Sequence, residues 1–281
     1  MCGIAGELRF DNQAADLAAV ERITHHLAPR GPDAHGFHSR GPVAFGHRRL
    51  KIMDLAEASG QPMIDNDLGL SMVFNGAIYN YPELRGELEQ LGYRFFSGGD
   101  TEVLLKGYHA WGADLLPKLN GMFAFAIWER DSQQLFIARD RLGVKPLYLS
   151  KTKDRLRFAS SLPALLKGGD IGKTLDPVAL NHYLNFHAVV PAPRTILAGV
   201  EKLPPATWMR IDTNGKVEQK VWWTLNFGPN ADEANFTFED WRDATLDSMR
   251  EAVEIRQRAA VDVGVLPVSY THLTLPTNRE V

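Results

Sequence analysis

Two periods of apolar residues run along the chain. Cys2-Gly3-Ile4-Ala5-Gly6-Glu7-Leu8 alternates with period two and predicts a strand. Leu17, Val20, Ile23, Thr24 and Leu27 recur near i, i+3, i+7 and predict a helix over 15–27, stopped by Pro29 and the Arg30-Gly31-Pro32-Asp33 loop. Residues 69–75 read as a strand ending at the Asn75-Gly76 turn signal. A helix is expected from Pro82 to Leu91, with Pro near its start and Gly92 just past its end, and another from Thr101 to Trp111. Met122–Trp128 and Gln134–Ala138 predict a strand pair turned at Asp131-Ser132. Apolar and aromatic strands interleaved with helices imply α and β layers on one core.

The pattern changes at 190–235, which holds Pro191, Pro193, Pro204 and Pro205 and then a polar stretch from Asn226 to Asn235. Thr237 with Asp240 forms a capping-box signal, Asp standing for the usual Glu. A helix to about Arg258 is predicted behind it, with Phe238, Trp241, Met249 and Val253 on one side, and then a buried strand from Val261 to Leu266.

Composition adds mainly exclusions. The 281 residues are 44% hydrophobic and 23% charged with a formal net charge of −3, which is ordinary for a globular protein. Nothing in that balance calls for a nucleic-acid or membrane partner. No apolar run approaches the ~20 residues that span a bilayer, and no secretory signal opens the chain. One cysteine excludes an internal disulfide and suits a reducing cytoplasm.

That cysteine sits at position 2. Met before a small residue is normally trimmed, so the mature chain is expected to begin at Cys2, with a thiol and a free α-amine on one residue. The amine's ordinary pKa of about 7.7–8.0 lets it act as base for its own side chain. By position alone Cys2 could equally be a small hydrophobe opening a strand.

Six motifs alter that balance. Met1-Cys2-Gly3-Ile4-Ala5-Gly6, Arg30-Gly31-Pro32-Asp33, Gly46-His47-Arg48-Arg49-Leu50, Phe74-Asn75-Gly76-Ala77-Ile78-Tyr79-Asn80, Gly99-Asp100-Thr101-Glu102 and Arg139-Asp140-Arg141-Leu142-Gly143-Val144-Lys145-Pro146-Leu147-Tyr148 occur in order. Together they resemble the class II glutamine amidotransferases of the asparagine-synthetase type, over residues 2–266. The resemblance implies an α+β fold: a four-layer α/β/β/α sandwich of the N-terminal nucleophile hydrolase type, followed by the truncated start of an α/β ATP-binding synthetase domain. It implies Cys2 as nucleophile on the side-chain amide of L-glutamine, Asn75 and Gly76 as donors to the oxyanion, Arg49 on the α-carboxylate and Asp100 on the α-ammonium. Taken singly these residues have plainer readings: Arg48 and Arg49 as a solvated basic face, Asp100 as the N-cap of the helix from Thr101, Asn75-Gly76 as a turn. His47 is expected to pack beside Arg49 as structure. The family often carries Glu where Ala77 stands, so ammonium binding is expected to lean on Asp100 and backbone carbonyls.

Some signals are set aside. Gly172-Lys173-Thr174 resembles a phosphate loop, but the required glycine position holds Lys167. Adjacent His25 and His26 point apart on a helix, and no metal site is expected.

The domain reading is a glutaminase domain over 1–215, a linker over 216–237, the truncated start of the ATP-binding domain over 238–266, and an adapter-like, non-native tail over 267–281. The family's pyrophosphate loop, Ser-Gly-Gly-x-Asp-Ser, is expected after Leu266, where the tail stands instead. The glutaminase half needs no cofactor; the intact protein would use ATP and Mg. Its acceptor would be a carboxylate, giving asparagine or a small peptide amide. Phe74-Asn75-Gly76-Ala77 and Ala159-Ser160-Ser161-Leu162-Pro163 look most like the N-acetylglutaminylglutamine amidotransferases. A homodimer is compatible with the family. The competing expectation is a catalytically weak fragment that senses glutamine or binds a partner.

Overall fold

The computed structural model describes residues 1–228 and 233–264. Two six-stranded antiparallel sheets lie face to face. One runs in the order β10 (Glu201–Lys202), β8 (Tyr148–Lys151), β9 (Arg155–Ala159), β1 (Gly3–Arg9), β3 (Val43–Arg49), β2 (Ala34–Arg40). The other runs β12 (Val217–Val221), β11 (Thr207–Asp212), β7 (Gln134–Arg139), β6 (Gly121–Glu129), β5 (Leu70–Ile78), β4 (Met63–Asp65). Helix α1 (Leu17–His26) and the single turn α5 (Leu162–Leu165) cover the first sheet. Helices α2 (Tyr81–Gln90), α3 (Asp100–Trp111) and the turn α4 (Leu115–Lys118) cover the second. Helix α6 (Pro177–Asn185) lies on the connection to β10, and α7 (Phe238–Arg256) follows β12.

Three apolar layers hold these four together, and strand alternation assigns each residue to one. Along β1, Ile4 and Leu8 enter the layer between the sheets with Val43 and Phe45 of β3 and Val73 of β5. Ala5 turns outward against Val20, Ile23 and Leu27. Along β5, Met72, Phe74 and Ile78 face the layer under α3, with Val103, Leu104 and Phe125. Each fully buried Leu, Ile or Phe contributes roughly 1.5–3 kcal/mol, so register is strongly specified.

A buried ion network ties the first sheet to the helix that covers it. Glu7 of β1 pairs with Arg157 of β9, which also reaches Asp16 at 3.2 Å; Asp16 caps α1 through the Ala19 N–H at 3.0 Å. Glu7→Ala leaves the buried Arg157 guanidinium with only the partly exposed Asp16 as an acid partner. We expect a loss of about 3–5 kcal/mol and a melting temperature lower by on the order of 10 °C; a calorimetric melt unchanged from wild type would show the pair to be dispensable.

The predicted elements recur with shifted ends. The strand read over 69–75 continues to Ile78, so Asn75-Gly76 lies inside it and is not a turn. Pairing with β6 carries it on, Asn75 opposite Ala124 and Gly76 opposite Phe123. The helix expected from Thr101 begins at Asp100, with Gly99 as its cap. The capping box at Thr237 and Asp240 is present with both of its bonds. The segment 216–237, expected as a linker, opens with β12, which pairs along β11. Residues 261–264 form no strand, since nothing there offers them a ladder; 265–266 and the tail over 267–281 lie outside the described residues. Helix α7 buries no residue, and Phe238, Trp241, Met249 and Val253 are exposed as the stripe predicted. Among the described residues no helix is long and apolar enough to cross a membrane.

Candidate active site

The same alternation gathers the site. Cys2 lies two residues before Ile4, so it shares the inter-sheet side of the first sheet. His47 and Arg49 follow Val43 and Phe45 at intervals of two and share it as well, while Arg48 turns out to Thr24 O at 3.2 Å and His25 Nδ1 at 3.1 Å. Gly3 pairs with Arg48, which brings Cys2 alongside Arg49. From the facing sheet Asn75 shares the parity of Val73. These positions meet at one end of the sandwich, where the inter-sheet layer opens to solvent.

All five predicted site residues, Cys2, Arg49, Asn75, Gly76 and Asp100, line one pocket of about 530 Å³. The Cys2 thiol lies against Leu50, accepting from its N–H at 3.4 Å and reaching its carbonyl oxygen at 3.7 Å. Burial pushes this thiol up from its ordinary value, only partly opposed by the Leu50 contact. Burial likewise draws the Met1 amine down, opposed by the Cys2 thiol and aided by Arg30 and Lys145. A thiol in this position needs a base, and the chain end is beside it.

Asn75 is 1% exposed, and neither atom of its side-chain amide has a hydrogen-bond partner. A buried unpaired polar group costs about 1–3 kcal/mol, so one in a native pocket calls for an explanation. Gly76 supplies a second donor. The Phe74 N–H on one side of it is taken by Gln61 Oε1 at 2.6 Å, and the Ile78 N–H on the other by Asp100 Oδ2 at 3.0 Å. Phe123, opposite Gly76, gives both its N–H and its carbonyl to Asp140 instead. Strand alternation therefore turns the Gly76 N–H to the same open edge, between those two capped groups. A Cβ at Gly76 would stand 2.2 Å from Met122 O, so only glycine fits there.

Arg49 is held in place, its Nη1 donating to Ala56 O at 2.9 Å and its Nη2 to Asp54 O at 2.7 Å. Asp100 is fully buried and pushed up to about 6 by loss of water. Its carboxylate does not cap its own helix, as expected of an N-cap; it crosses to β5 because the helix begins one residue earlier. His47 is pushed down to about 3 by burial and stays neutral, its Nε2 donating to Phe74 O at 3.1 Å. It braces the two sheets, as expected of a structural residue. Ala77 lines the pocket as well.

Sequence reasoning gave no role to three neighbours. Arg30 Nε donates to Cys2 O at 3.1 Å while its Nη2 is buried without a partner. Gln61 spans β5 and Thr101. Lys145 reaches Met1. Arg30 and Lys145 lie in two of the six motifs, which was the available signal. The segment beyond α7 also reaches the pocket: Arg258 donates to Tyr79 O at 2.6 Å, Ala260 N–H to Ile52 O at 2.7 Å, and Val261 to Gly264 line its mouth. Expected as the truncated start of a second domain, this stretch makes contact with the pocket's own elements.

Comparison with known proteins places this geometry. The glutamine amidotransferase domain family matches residues 1–223. Asparagine synthetase [glutamine-hydrolyzing] 1 of Bacillus subtilis is 38% identical over 268 residues, covering 94% of this chain and 41% of that protein. Asparagine synthetase [glutamine-hydrolyzing] 3 of the same organism is 35% identical over 225 residues, covering 79% of this chain and 36% of that protein. The chain thus spans about two fifths of these curated relatives. A solved glutamine phosphoribosylpyrophosphate amidotransferase from B. subtilis superposes with a TM-score of 0.57 at 19% identity, over 80% of this chain and 50% of that one. That likeness shows the fold, two antiparallel sheets between helical layers.

Proposed function

The chain belongs to the glutamine amidotransferase domain family, and we propose that its pocket hydrolyses L-glutamine to glutamate and ammonia through a thioester on Cys2. The observation that carries this reading is the buried, unpartnered amide of Asn75 beside the open N–H of Gly76. Two donors held without an acceptor form a site awaiting an oxyanion, and each such donor is typically worth ~3–4 kcal/mol in the transition state.

The steps follow from the residues. The α-amine of a chain beginning at Cys2 takes the thiol proton. Sγ bonds to the carbon of the glutamine amide, and the carbonyl electron pair moves onto oxygen, facing Asn75 and Gly76. As the pair returns, the C–N bond breaks and nitrogen leaves as ammonia, taking the proton from the α-ammonium. Water, deprotonated by the same amine, then cleaves the thioester to glutamate and restores the thiol.

Arg49 and Asp100 give the pocket one cation and one anion for a free amino acid. Arg49→Lys is expected to raise KM for glutamine by about 10–100-fold with a smaller change in kcat, because a point charge cannot keep the Ala56 and Asp54 contacts and also fork a carboxylate. Steady-state kinetics read this directly, and an unchanged KM would remove Arg49 from the glutamine site.

In the whole protein the ammonia would serve ATP-dependent amidation of a carboxylate, as the names of the asparagine synthetase relatives suggest, with a small peptide such as N-acetylglutaminylglutamine as an alternative acceptor. ATP with Mg belongs to that half. Gly172 to Thr174, the run that resembles a phosphate loop, lie in an irregular stretch between the turn ending at Gly168 and the start of α6. The single cysteine supports a reducing compartment such as the cytoplasm. The purified chain tests the reading: equal amounts of ammonia and glutamate should accumulate from L-glutamine. A chain that binds glutamine and releases neither would be a sensing fragment instead.

A further inference from the structure

One charged side chain in the pocket has no part in the proposed reaction. Lys145 is 2% exposed, and among the described residues its Nζ has one hydrogen-bond partner, the Met1 Sδ at 2.9 Å. A thioether is a weak acceptor and compensates an ammonium poorly for lost water. The backbone of Lys145, by contrast, is held firmly. Its N–H donates to Asp140 Oδ2 at 3.0 Å, and its carbonyl accepts from Arg139 Nε at 2.7 Å. Asp140 also accepts from the N–H groups of Phe123, Leu142 and Val144, and Arg139 also reaches the carbonyls of Gly143 and Leu203. The loop is a bracket made from its own charged side chains, and what it delivers is an ammonium against the first residue of the chain.

The charges around that point can be named. Lys145, Arg30, Asp33 and the Cys2 thiol face the terminal amine. Arg30, Cys2 and Asp140 face Lys145. Asp100 and Arg49 face the thiol from the other wall. The two acids nearest the amine and Lys145 are engaged elsewhere, Asp140 by four backbone N–H groups and Asp33 by the Lys51 N–H. Lys145, buried, and Arg30, half-buried, are the two cations that face the chain end.

We propose that Lys145 is a positioning residue for the nucleophile: in a chain beginning at Cys2, its ammonium stands beside the new α-amine and the sulfur, keeping the amine neutral and favouring the thiolate. The proposal rests on the glutaminase reading for its kinetic test. Its physical basis is general: a fixed cation disfavours a second cation and favours an anion nearby. Burial draws the Met1 amine down and pushes the Cys2 thiol up; the same burial of a new Cys2 amine would leave the thiol hard to ionise. A cation corrects the second effect without undoing the first.

Lys145→Met removes the charge and keeps the stem length. Two profiles are read across pH: kcat/KM for glutamine, and the rate at which iodoacetamide alkylates Cys2, the single cysteine of the chain. We expect the acid limb of both to move up by about one pH unit, so that rates below it fall about tenfold and converge above it. Lys145→Arg, which retains the charge, should stay near wild type. Unmoved limbs in Lys145→Met, or equal displacement in Lys145→Arg, would overturn the proposal. Lys145→Gln replaces the methionine variant if thermal melting shows that one unfolded. Alkylation separates the two readings: a Lys145-dependent shift without ammonia release supports the positioning role and removes the glutaminase, whereas glutamine hydrolysis with unmoved limbs does the reverse.

Discussion

Cys2→Ala ends ammonia release from glutamine while the chain stays folded. The substitution deletes one sulfur at the half-buried start of β1, whose contacts are two long ones to Leu50. The layers that hold β1 begin at Ile4, so stability should change by no more than about 1 kcal/mol. The chemistry loses the chain's single cysteine. Removing a nucleophile that acts as a unit with its base costs on the order of 10⁵–10⁶-fold in kcat, and a small residue of rate remains from the oxyanion donors and binding. Calorimetry should find glutamine still bound, since Arg49 and Asp100 are untouched. Ammonia release at the wild-type rate would refute Cys2 as the nucleophile and leave the open donors of Asn75 and Gly76 without a partner reaction.

Retention of Met1 should inactivate the protein nearly as fully, although Cys2 is intact. Met1 stands in the pocket, among the same residues that would receive glutamine, with its sulfur on Lys145. It therefore does two things at once. It fills space at the nucleophile, and it turns the Cys2 amine into an amide with no basicity. The buried thiol, pushed up by desolvation, then has no base beside it. His47 does not replace the amine, because burial pulls its basicity down to about 3 and it does not line the pocket. An uncleaved N-terminal extension, verified by intact mass, makes the comparison against the processed chain. We expect kcat to fall by about three orders of magnitude or more, the worth of general-base assistance together with correct placement. Hydrolysis at a comparable rate by the verified extended chain would mean that another group takes the thiol proton.

These expectations were legible in the chain to different depths. Period-two alternation identified β1, apolar runs bounded by turn signals identified β5, β6 and β7, and the α1 stripe and the capping box at Thr237 were read where they stand. The six motifs carried the five site residues, because the chemistry of each is local to its own side chain. Arg30 and Lys145 were quoted within motifs and given no work, since nothing in a strand period or a turn signal says that residues 28 and 143 positions away in sequence meet Cys2. Asn75-Gly76 read as a turn because that dipeptide usually is one, and β6 overrode the propensity by offering a ladder. Residues 261–264 read as a strand for the opposite reason: the apolar run was there and the neighbouring strands were not.

The sequence by itself thus determined which residues alternate, which can attack, donate or pair, and that a sandwich of sheets and helices would hold them. Only the tertiary structure decided which of these meet. The register of Gly3 with Arg48 set Cys2 beside Arg49, and the facing of the two sheets put the unpartnered amide of Asn75 on the same opening. Asp100 was taken from its own helix to the edge of β5. The reason is physical. A side chain's chemistry and its local period are carried by the chain around it, whereas contact across tens of residues is settled by burying three apolar layers at once, and no single segment contains that information.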